Sequence, residues 1–149
     1  MIRSPYRPRY KKLLEEYGLC DFPEEWISLL SYEKKEFLFR EGFEADDFLI
    51  LAEGRAKVIT STAEGRVLLH SFSCRGDMLG EVELLTDLPC AALNVQAVTP
   101  VVCIGIPIKK CRELLMENPL FLKKLSTALA QKLRLHNQNT DRIILHHLE

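Results

Sequence analysis

The residues whose types and spacing could do chemistry lie between Gly76 and Ala97, in GDMLGEVELLTDLPCAALNVQA. Gly80 is followed at once by Glu81, then by a short apolar turn beginning at Val82, and then by a return to alternating residues. A Gly-Glu pair opening a helical turn leaves backbone N–H groups and one carboxylate at the mouth of whatever encloses them. That combination suits a cradle for a small ligand. Glu81 could equally be a helix-start carboxylate stabilised by the helix dipole, and Glu83 and Asp87 are expected to be solvated.

Metal and nucleophile chemistry has less support. A metal enzyme on a β-roll of the cupin type needs two or three histidines and a glutamate facing the interior. Three of the four histidines (His136, His146, His147) lie at the C-terminal end, and His70 alone could face a roll. Five cysteines (Cys20, Cys74, Cys90, Cys103, Cys111) form no C-x-x-C and have no histidine at metal-ligand spacing. An odd count without a framework points to free thiols in a reducing compartment. Cys103 and Cys111 read as small apolar fillers, and Cys90 is the thiol beside the proposed cradle.

A chain of 149 residues, 47% hydrophobic, is the size of one compact domain with a substantial core. Its 20 basic and 21 acidic residues give a net charge of −1, so no overall field draws it to nucleic acid or anionic lipid. The basic start MIRSPYRPRYKK is not followed by the apolar stretch of a secretory signal. The uncharged run from Leu88 to Ile108 contains three prolines and alternates, which predicts strands and no membrane span. A cytoplasmic location is expected.

Residues 1–30 read as a loose N-terminal arm, a short helix YKKLLEEYGL closed by Gly18, and a second helical turn through EEWISLL. From 31 to 107 the apolar period becomes two. EFLFREG, DFLILAEG, RAKVITSTAEG and RVLLHSFSCRG each end on a glycine (Gly42, Gly54, Gly65, Gly76), at intervals of 12, 11 and 11 residues. That is the rhythm of a small antiparallel roll, and LNVQAV and VVCIGI supply two more strands after the cradle. From 108 to 149 the period returns to 3.6: IKKCRELLMEN is one helix, and Asn118-Pro119 is a good N-cap and first-position pair for a long second one. Leu122, Leu129, Leu133, His136, Thr140 and Ile143 form a narrow seam along that helix, the pattern of packing against a second copy. The fold expected is mainly β with α: a double-stranded β-helix, or jelly-roll, followed by a short helix and a long dimerisation helix.

The stretches EGFEADDFLILAEGRAKV, GDMLGEVELL and ENPLFLKKLSTALAQKL in this order resemble the effector domain of the Crp/Fnr family of bacterial transcription regulators. The resemblance implies a roll that binds a small effector, a homodimer through the long helix, and a following winged helix-turn-helix domain that reads DNA and meets RNA polymerase. The chain stops at HHLE, where the resemblance places the hinge into that domain; either the natural protein ends there or, the favoured expectation, it continues beyond, in which case Leu148-Glu149 could be a vector remnant.

The resemblance also implies where a cyclic nucleotide would bind. Gly80 and Glu81 match the phosphate turn and the ribose-binding glutamate, but Ala91 and Ala92 stand where an Arg-Ser pair would neutralise and cap the phosphate. Losing a charged hydrogen-bond donor costs about 1.5–3 kcal/mol, or roughly 10- to 100-fold in affinity. No Lys or Arg occurs between Gly76 and Ile108, unless Lys132 or Arg134 reaches in from the long helix. His136 and Asn137 match the positions that meet the base. An iron–sulfur branch would need clustered N-terminal cysteines, and only Cys20 lies there. A haem branch would need an axial ligand such as His70 or Cys74. The reading is therefore an effector-sensing dimeric domain whose ligand is not ordinary cyclic AMP and for which no cofactor or metal is identified. The alternatives are a non-binding dimerisation platform and, less favoured, a cupin-type metal enzyme.

Overall fold

The computed structural model describes residues 1–86 and 88–148, with side chains through Arg134. Among the described residues, nine strands form two antiparallel sheets. The first has the order β1 (Ile2–Pro5), β2 (Ser28–Tyr32), β9 (Val101–Pro107), β4 (Asp47–Glu53), β7 (Met78–Leu79). The second has the order β3 (Phe37–Phe39), β8 (Asn94–Ala97), β5 (Ala56–Ser61), β6 (Val67–Ser73). The α-helices among the described residues are α1 (Lys11–Glu16), α2 (Glu81–Thr86), α3 (Ile108–Met116) and α4 (Pro119–Leu148).

Alternation along the central strands explains how two layers of core arise from one sheet. On β4, Leu49 and Leu51 face the interior of the roll with Cys103, Val58 and Val95, while Phe48, Ile50 and Ala52 face outward onto the helices. Both faces are therefore covered, which is why β4, after Asp47, reads as the unbroken apolar run FLILA. The outer layer is sealed by Phe121 and Leu125 of α4, and Phe121 meets Phe48 edge to face at 5.5 Å. Burying each of these side chains contributes about 1.5–3 kcal/mol.

The glycine rhythm is real: Gly42, Gly54, Gly65 and Gly76 all have positive φ, between 82° and 91°. At Gly54 the requirement is double, because a Cβ there would also lie 2.2 Å from the Pro100 carbonyl oxygen. Asn118 caps α4 as its position predicts, its Oδ1 accepting from the Phe121 amide at 3.1 Å. Its Nδ2 donates to the Gly18 carbonyl at 2.7 Å, tying the long helix to the end of α1.

The N-terminal expectations need correction. The arm is not loose: β1 pairs with β2 from Ile2↔Ser31 to Pro5↔Ser28, and Arg3 donates to the buried Asp47 carboxylate at 2.8 Å. The turn through EEWISLL is helical only at Glu24–Trp26, as a 3-10 turn. Ser28–Tyr32 is a strand paired on its other side with β9, so the first sheet begins well before residue 31.

Candidate functional site

β7 ends at Leu79 and the chain turns through Gly80, with φ of +90°, into α2. A Cβ at Gly80 would stand 3.1 Å from Phe39 Cζ and 3.4 Å from the Asp47 carbonyl oxygen, so side-chain-free backbone is required here. The turn delivers Glu81 into the protein, 7% exposed. Lys132 Nζ, from α4, donates to the Glu81 carboxylate and to the Met78 carbonyl oxygen, the latter at 3.0 Å. The lysine side chain is half-exposed and the glutamate nearly buried, so this contact is much less screened on one side than on the other.

At the other end of α2, Arg112 of α3 donates to the carbonyls of Leu84, at 3.0 Å, and Glu83, at 3.1 Å. A guanidinium at the C-terminal carbonyls of a helix satisfies orphan acceptors and matches the dipole. The cradle helix is thus held by a cation from each of the two C-terminal helices. Sequence reasoning did not find Arg112, whose only signal was a basic residue among the apolar positions of α3.

Glu83 is not solvated, as its position in the sequence suggested. It is 6% exposed, and its Oε1 accepts from the Ala92 amide at 2.9 Å. Ala91 is buried at 4%, and its backbone is fully engaged: its amide donates to the Phe43 carbonyl at 2.8 Å and its carbonyl accepts from the Gly42 amide at 3.0 Å. Ala92 is exposed. Glu81 meets Lys132 just after Gly80, and Ala92 meets Glu83 on the same short helix, whereas Val82 is 39% exposed. Arg134 is exposed. The expectations for His136, Asn137, Thr140 and Ile143 fall on side chains outside the described residues, as does that for Asp87.

Of the seam residues described, Leu122 and Leu129 are half-buried against this chain's own outer core, and Leu133 is 61% exposed. His70 does not face the roll: β6 exposes it, and its Nε2 shares a hydrogen bond of 2.8 Å with Thr60 Oγ1. Among the described residues no group of three His, Cys, Asp or Glu is placed to hold a metal ion, and no helix is long and apolar enough to cross a membrane. Cys20, Cys74 and Cys90 are exposed, while Cys103 and Cys111 are buried. Burial pushes the Cys103 thiol up to about 12 and raises the Tyr32 phenol beside it. A cleft of about 380 Å³ lies away from the cradle, between α1 and α4.

The family described as cyclic nucleotide-binding domain matches residues 29–118. Regulatory protein YeiL of Escherichia coli O157:H7 is 33% identical over 104 residues, which is 70% of this chain and 47% of that protein. The cAMP-activated global transcriptional regulator CRP of Salmonella typhimurium is 28% identical over 107 residues, covering 72% of this chain and 51% of that one. The chain therefore spans about half the length of these curated relatives. In fold it is similar to the c-di-GMP responsive global regulator CLP of Xanthomonas campestris, with a TM-score of 0.76 at 16% identity over 89% of this chain and 64% of that one. Together with the two-sheet roll, the Gly80–Glu81 turn and the long helix behind it, these matches place the chain in the cyclic nucleotide-binding domain family, as an effector domain of the Crp/Fnr type.

Proposed function

We propose that the chain is the effector-sensing, dimerising part of a bacterial Crp/Fnr-type transcription regulator whose signal molecule is not ordinary cyclic AMP. The observation that carries this reading is Lys132. A side chain of the long helix reaches the Glu81 carboxylate and the Met78 carbonyl in the cradle, so a molecule entering there must either join that contact or replace it. Either event changes how α4 is seated on the roll, and α4 is the element through which a second copy would read the change. Ala91 and Ala92 supply no cation, and the acids Glu81 and Glu83 are already inside, which disfavours a cyclic phosphate. The ligand would be met by Gly80, Glu81, the Val82 backbone, Ala91, Ala92 and Lys132, with His136 and Asn137 from α4 as further candidates.

The remainder of the reading concerns a longer protein: DNA recognition through a helix-turn-helix domain, contact with RNA polymerase, and hence a cytoplasmic location. The relatives named are regulators, and catalysis forms no part of the proposal. A second reading, a roll that serves only as a dimerisation platform, is favoured by one observation: both cradle carboxylates have internal partners, Glu81 in Lys132 and Glu83 in the Ala92 amide. Mass spectrometry of small molecules released when the purified protein is denatured separates the two. A stoichiometric non-cyclic-nucleotide compound that raises the melting temperature supports sensing, stoichiometric cyclic AMP contradicts it, and no compound and no shift favour the platform.

A further inference from the structure

We propose that Glu83 is the residue that sets the charge selectivity of the cradle, acting as a built-in anion that holds the Ala92 amide an external anion would need. The inference rests on the reading of the cradle as a ligand site and deepens it.

Three observations carry it. The Glu83 carboxylate is 6% exposed and lies 2.9 Å from the Ala92 nitrogen, so one of the few donors of the 88–93 loop is already satisfied from within. The neighbouring Ala91 amide and carbonyl are both committed to the Gly42–Phe43 turn. The described cations that reach α2 are engaged elsewhere: Lys132 with Glu81 and Met78, Arg112 with the carbonyls of Glu83 and Leu84. An incoming anion would lose its amide donor to Glu83 and face that carboxylate at short range in a poorly screened site. A neutral or cationic group meets no such barrier.

The same geometry gives a consequence that simple loss of a cation at position 91 does not. An arginine placed at 91 would stand beside the Glu83 carboxylate and pair with it, so restoring the cation alone should not restore an anion site. Removing Glu83 at the same time should.

The test measures cyclic AMP binding by isothermal titration for the wild type, A91R, A91R/E83S and A91R/E83Q, each first checked for a wild-type circular dichroism spectrum and a cooperative melt. The expected result is that A91R/E83S binds at least about tenfold more tightly than A91R, the scale of one charged hydrogen bond. A91R/E83Q keeps the side-chain volume without the charge, and it serves in place of the serine variant should that one fail to fold. Equal affinity of A91R and the double variants overturns the role of Glu83 and leaves the cradle as a ligand site. No cyclic AMP binding by any folded variant also overturns the role of Glu83, and it leaves standing the reading of a site for a different effector, which the mass-spectrometric assay tests.

Discussion

Lys132, on the long C-terminal helix, donates to the carboxylate of Glu81, the first residue of the helical turn after Gly80. The two are far apart in sequence, and the contact joins the cradle to the helix that a partner would share. Its strength lies between that of a surface pair and that of a fully buried one. We expect Lys132→Met to destabilise the fold by about 1–2 kcal/mol, because a nearly buried carboxylate loses its cation. Adding Glu81→Gln should recover most of the loss. Urea unfolding of the two single variants and the double variant measures the coupling, and strictly additive effects would rule it out.

Asn118 holds α4 at both of its polar atoms, capping the Phe121 amide and donating to the Gly18 carbonyl. Asn118→Ala removes the cap and the tether together and should cost about 1–2 kcal/mol. Asn118→Asp, which keeps the capping oxygen and loses the donor, should cost less than alanine. An alanine variant with an unchanged denaturation midpoint would contradict the assignment.

Burial raises the Cys103 thiol from 9.0 to about 12 and the Tyr17 phenol from 10.0 to about 12. In both cases folding favours the protonated form, so the stability these groups carry is complete below pH 9 and declines as the pH climbs from about 9 towards about 12. The urea midpoint should fall across that window, and a flat midpoint would argue against it. In the folded protein a thiol reagent should modify Cys20, Cys74 and Cys90, with Cys103 and Cys111 reacting only after unfolding.

Leu133 is 61% exposed on α4, one helical turn beyond Leu129. A large apolar side chain so placed on the predicted seam is the contact a second copy would cover. Leu133→Asp should sediment as a monomer under conditions where the wild type is a dimer, while its circular dichroism is unchanged. A variant that remains dimeric would remove this position from the interface.

Much of the roll was legible because its turns demand glycine: the repeating Gly42, Gly54, Gly65 and Gly76 mark four strand ends, and all four have the positive φ that makes glycine necessary. β1 and β2 were not legible. Ile2–Pro5 is a short edge strand with mostly exposed side chains and no alternation to detect, and SLLSY is too short to distinguish a strand from a helical turn by period. Glu83 was misread for a physical reason. Nothing in the local sequence marks its partner, the Ala92 amide nine residues on, where the chain returns to α2. Lys132 could be named as a candidate from its position on the helix, but its target could not, because the two residues are 51 apart in sequence.

The cradle keeps the outline of an anion site, but the described cations that reach it are engaged from within, Lys132 by Glu81 and Met78 and Arg112 by the carbonyls of Glu83 and Leu84. Titration of cyclic AMP into the dialysed wild-type protein tests it most directly. No saturable heat is expected, and a dissociation constant weaker than about 1 mM. A one-to-one isotherm with a dissociation constant in the low micromolar range would contradict it.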